Sequence, residues 1–142
     1  MNARTMSRGQ RKVSIGMSAV FLLTISVLPF TEAMSQSATP LPYKTAMEHA
    51  QLAVNATTLD AIQMHLHHVL NCLEGRSGKD FDAAAGNPCN GHGALQALKK
   101  GTADWIRALN SIALARVGVK LHDEKPAHYV AEAVFAILSE GK

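Results

Sequence analysis

The 142-residue chain has little of several things, and each shortage excludes something. It has two cysteines, one tryptophan, two tyrosines and four phenylalanines. No Cys-x-x-Cys pair occurs, which excludes a thioredoxin-type dithiol, and no Cys-x-x-Cys-His occurs for covalent haem attachment. With so few aromatics there is little bulk to wall off a large ligand. No segment alternates apolar and polar residues, so strands are not expected. There is no glycine-rich phosphate loop at a strand–helix junction, no Gly-x-Ser-x-Gly and no His-Glu-x-x-His. The spaced Glu-x-x-His set of di-iron bundles is also missing. Candidate nucleophiles have no recognisable base beside them, and the chain reads as a non-enzyme.

What is present begins with an address. Arg4, Arg8, Arg11 and Lys12 precede residues 13–30, which carry no charge. Ala33-Met34-Ser35 then offers small residues for a cut before Gln36. This order predicts a secretory signal peptide over residues 1–35. The competing expectation is an uncleaved anchor, since a spanning helix needs about 20 apolar residues; Pro29 and the small-residue site favour cleavage. The remaining residues hold 10 Lys and Arg against 10 Asp and Glu (14 less 4, and 11 less 1). The basic balance therefore belongs to the targeting segment and points to no nucleic acid. One exported domain with no membrane attachment after cleavage is expected, periplasmic or secreted.

After a flexible leader at 36–41, four amphipathic helices are predicted over residues 42–142. Pro42 suits the first turn of a helix over 42–55, with apolar Ala46, Met47, Ala50, Ala53 and Val54 on one side. Thr57 with Asp60 reads as a capping-box variant opening a second helix over 58–74. That helix carries Leu59, Ile62, Leu66, Val69, Leu70 and Leu73 on one stripe and stops at Gly75. Residues 75–93 hold five glycines and Pro88, so they read as a loop with one helical turn at 81–85. A third helix is expected from 93 to 117, with Gly101 inside it as a place to break and Thr102 as a cap for the restart. Pro126, behind Asp123 and Glu124, opens a fourth helix that ends at Gly141. The predicted fold is all-α: an antiparallel four-helix bundle with a disulfide-pinned loop between helices 2 and 3.

An even cysteine count in an exported small domain favours a Cys72–Cys89 disulfide over two reduced thiols that bind metal or do redox chemistry. The histidines sort by helix geometry. At about 100° per residue, His65, His68 and Cys72 share one flank of the second helix and His67 faces away. If the loop folds back over that flank, His92 is carried toward His65 and His68. Three imidazoles, with Asp80 or Asp82 as an oxygen donor, would make an open tetrahedral site for a Cu, Zn or Ni ion. His49, bordering the alanine face of the first helix, is a further candidate if helices 1 and 2 pair. Two other readings stand beside this one. In the plainer, the histidines are half-exposed, bonded to loop carbonyls, and the loop serves a protein partner. In the other, a histidine is the axial ligand of a non-covalent haem.

The stretch "HLHHVLNCLEG … FDAAAGNPCNGHG", together with His49-Ala50 in an alanine-rich first helix, resembles a group of exported bacterial helical-bundle proteins. In those chains a His-rich helix ends in Asn-Cys-Leu and a glycine-rich loop ends in Asn-Pro-Cys. They are similar in style to periplasmic small metal-binding proteins. The resemblance covers mainly residues 46–93. It implies Cys72–Cys89 pairing and ligation by His65 and His68.

Overall fold

The computed structural model describes residues 38–141, so the expected signal peptide lies outside the described residues. Five helices and no strand occur among them: α1 Leu41–Asn55, α2 Leu59–Glu74, α3 Ala94–Ala97, α4 Ala103–Gly118 and α5 Glu124–Ser139. None of these is long and apolar enough to cross a membrane.

The long helices follow their sequence signals closely. Pro42 sits in the first turn of α1, where a missing N–H costs nothing. The cap of α2 is Thr58 rather than Thr57; its hydroxyl accepts from Ala61 N at 3.3 Å. Gly75, at a φ of +70°, ends α2.

The largest departure is in the expected third helix, which is two pieces. Leu98 takes an extended conformation (φ −82°, ψ 138°) and Gly101 a left-handed one (φ +84°). Thr102 then starts α4 by accepting from Trp105 N while its own hydroxyl donates to Lys99 O at 2.8 Å. A glycine that favours left-handed backbone, followed by a good N-cap, outweighs the apolar period running through both segments.

The core has a division of labour. α2 supplies the bulk: Ile62, Leu66, Val69, Leu70 and Leu73 are buried. The helices around it supply many small residues, with Ala46, Ala50 and Ala53 from α1, Ala108 and Ala115 from α4, and Ala127 and Ala131 from α5 all buried, beside the larger Tyr43, Ile112, Val134 and Leu138. α1 packs on α2 and α5, and α4 packs on α5 and α2. Each large aliphatic contributes about 1.5–3 kcal/mol on burial, so α2 carries much of the driving force. Side chains also tie the helix ends. Tyr43 Oη donates to Leu138 O at 3.2 Å. Gln63 Nε2 donates to Val119 O and Leu121 O, at 3.3 and 2.7 Å, holding the connection between α4 and α5.

The loop from α2 to α3 lacks the helical turn expected at 81–85. It is a chain of tight turns, such as Gly86 N to Ala83 O at 3.3 Å, held from below by α2. The Cys72–Cys89 disulfide is formed, joining the last turns of α2 to the loop. Asn71 is fully buried and makes three bonds to the loop backbone. Its Nδ2 donates to Asp82 O and Gly86 O at 2.7 and 2.6 Å, and its Oδ1 accepts from Asp82 N at 2.8 Å. At the loop's base the backbones of Gly75 and Gly93 pass so closely that a Cβ on Gly75 would stand 2.7 Å from Gly93 N.

A second anchor is ionic. The buried Glu74 carboxylate accepts from Asp80 N at 2.7 Å, and Arg116 of α4 pairs with both Glu74 and Asp80. Burial raises the Glu74 pKa above the usual carboxylate range, while the Arg116 hydrogen bond lowers that of Asp80.

The disulfide closes 17 residues of chain, which in the loop-entropy account is worth roughly 3 kcal/mol. A Cys72→Ala/Cys89→Ala variant is expected to lose stability of that order in urea unfolding while keeping its helical circular dichroism. Equal denaturation midpoints for the variant and the parent would show that Asn71 and the Glu74–Asp80–Arg116 cluster hold the loop unaided.

Candidate metal centre

Two helices and one loop carbonyl build the site. α2 presents His65 and His68, one turn apart on the flank away from Leu66, as helix geometry requires. α1 lies against that flank and contributes His49. The link between the helices is only three residues, and Thr57 stands eight residues after His49 and eight before His65. A helix pair folded about that link sets the two histidines level.

The three rings converge through their Nδ1 atoms. His49 Nδ1 lies 3.2 Å from His65 Nδ1 and 3.3 Å from His68 Nδ1. Ring centroids are 4.5 Å apart for His49 and His68, 5.4 Å for His49 and His65, and 5.9 Å for His65 and His68. All three side chains are half-buried. They form the single group of three or more potential metal ligands among the described residues.

The protons decide what this cluster can do. His68 Nε2 lies 2.6 Å from Ala85 O, and a carbonyl only accepts, so Nε2 carries the hydrogen. The Nδ1 of neutral His68 therefore points a lone pair at His49. One hydrogen on His49 Nδ1 would have to serve both short contacts, and with none there two lone pairs would face each other.

Protonating His49 is disfavoured. Burial, then the charges of His68 and His65, push the His49 pKa down from 6.5 to about 4. Burial and His68 also lower that of His65. A cation bound by all three lone pairs removes the conflict. Zinc–imidazole bonds of about 2.0–2.1 Å at tetrahedral angles put ligand nitrogens about 3.3 Å apart, which matches the two contacts that His49 makes.

The other sequence candidates lie elsewhere. His92 does not join the imidazoles. The loop reaches His68 at Ala85 and then descends, so that Cys89 is level with Cys72 and Gly91 O accepts from Arg76 N at 3.0 Å, beyond the end of α2. His92 follows and lines a concave surface with Pro42, Arg76 and Gln96. The expectation placed it a loop's height too far up α2.

Asp80 is engaged with Arg116, whose Nε donates to it at 2.6 Å. Asp82 Oδ1 caps its own turn by accepting from Ala84 N at 2.9 Å, and its Oδ2 is 3.7 Å from His67 Nδ1. Neither aspartate is among the grouped ligands. What sequence reasoning missed is Asn71, which holds the loop over His68. An asparagine in a helix interior beside a cysteine, against helix propensity, was the available signal.

No known family matches the chain, and neither a curated protein nor a solved structure is significantly similar to it.

The depressed histidine pKa values have a consequence for stability. Between about pH 6.5 and about pH 4 the unfolded chain binds a proton at His49 that the folded chain excludes. Unfolding then takes up protons, so stability is full above this window and falls as the pH drops through it. Urea midpoints of the metal-free protein should decline from pH 7 toward pH 4.5, and less steeply in a His49→Gln variant. Parallel profiles for the two proteins would contradict the assignment.

Proposed function

We propose that the protein is an exported, non-enzymatic binding module for a transition-metal ion. The ligands are His49, His65 and His68, and a fourth position is open. The scaffold we read as an antiparallel four-helix bundle whose loop after α2 is pinned by the disulfide. The observation that carries the reading is the convergence of three imidazoles within ligating distance of one point, with Nδ1···Nδ1 contacts of 3.2 and 3.3 Å meeting at His49.

Two features support it further. The Ala85 carbonyl fixes the His68 tautomer through its other ring nitrogen, the outer-shell bond that metal-binding histidines commonly make. The disulfide fits an oxidising compartment, in keeping with the predicted signal peptide. Imidazole donors suit Zn²⁺, Cu²⁺ and Ni²⁺.

Titrating the purified, metal-free mature protein with each of these ions tests the assignment. His49→Ala, His65→Ala and His68→Ala are each expected to weaken binding by about tenfold or more, and His92→Ala to leave it unchanged. Binding should also weaken as acid protonates the imidazoles. Undiminished affinity in the triple variant would refute the site. The intact mass of the exported protein should correspond to a chain beginning at Gln36; a retained residue 1–35 segment would refute the cleavage.

A further inference from the structure

Beside the histidines of the proposed site, α2 carries a side chain that their geometry does not use. Of the six methionines in the chain, two lie among the described residues, Met47 and Met64. Met47 is partly buried and packs against the core. Met64 is a large apolar side chain left 44% exposed, and it sits on α2 one residue before His65 and one turn, four residues, before His68. Met64 and His68, at i and i+4, are neighbours on the helix surface, about 5–6 Å apart at Cβ. The loop reaches His68 through Ala85, 17 residues on in sequence, and α1 closes another side with His49. By register Met64 stands one turn toward the start of α2 from His68, away from Cys72 and the loop anchored there.

Resting on the reading of His49, His65 and His68 as ligands, we infer that Met64 supplies a thioether to the fourth position and makes copper(I) the preferred ion. A methionine side chain is unbranched, with three rotatable bonds, and reaches a neighbouring turn readily. Its sulfur is a soft donor. Thioethers favour copper(I), whereas zinc takes imidazole, thiolate, carboxylate or water and gains little from them. A set of three imidazoles and one thioether binds copper(I) without offering zinc anything beyond the three nitrogens.

The test compares the full mature protein with its Met64→Leu variant, a swap of similar volume at an exposed position that leaves the core untouched. Copper(I) affinity is measured by competition with a chromophoric copper(I) chelator, under ascorbate and without oxygen or thiols, so that the disulfide stays intact. Zinc affinity is measured by a separate chelator competition. Met64→Leu is expected to weaken copper(I) by about tenfold or more and to leave zinc within about twofold. X-ray absorption of the copper(I) form should show a sulfur neighbour in the parent that disappears in the variant. Equal copper(I) affinity in the two proteins, or a parallel loss for both ions, would overturn the role of Met64 while leaving the histidine site standing. If the parent binds neither ion, the histidine site itself falls, and Met64 with it.

Discussion

Seventeen residues between Arg76 and His92 have no helix or strand to pair their backbone groups, and a small domain has no room for such a segment unless something else does. Asn71 answers that demand. Its amide is one of very few side-chain groups able to donate twice and accept, and the loop asks for that combination at Asp82 and Gly86. Buried beside Cys72, Asn71 turns the back of α2 into a template on which the loop is laid down in one register. The disulfide limits how far the chain can stray; the amide decides where it lies.

The arrangement of the histidines depends on that register. Ala85, whose carbonyl orients the His68 ring, belongs to the stretch between the two points that Asn71 grips. A loop displaced by one residue would leave His68 Nε2 facing a different group, and its tautomer would no longer be set. The cluster of three imidazoles therefore has two independent supports: helix geometry brings the rings together, and the loop assigns their protons. Alanine on α1 matters to the first support. Ala46, Ala50 and Ala53 let α1 approach α2 closely enough for Nδ1 atoms on different helices to stand 3.2 Å apart.

Much of this was legible from residue order. Helix positions, the glycine that ends α2, the cysteine pairing and the shared flank of His65 and His68 are local or near-local properties, and periodicity reports them directly. The split between α3 and α4 was written as a possibility in Gly101 and Thr102, and propensity alone did not weigh it against the apolar pattern. His92 and His49 exchanged places for a different reason. Where a glycine-rich loop runs depends on which backbone groups are caught by Asn71 and Glu74, a matter that no pattern of seven residues carries. His49 was within reach through its symmetry with His65 about Thr57, since a tight link fixes which residues of two paired helices are level.

All three imidazoles come from residues 49–68, two helices and the short link between them. So compact a ligand set needs little loop closure to assemble, because the entropy of bringing its members together grows with the length of chain between them. Contacts of such short range cost less chain entropy to close than the distant union of Tyr43 with Leu138, which draws the first and last helices together. The α1–α2 hairpin thus carries all three imidazoles by itself, and an ion bound by them would tie the two helices together before any other element is needed.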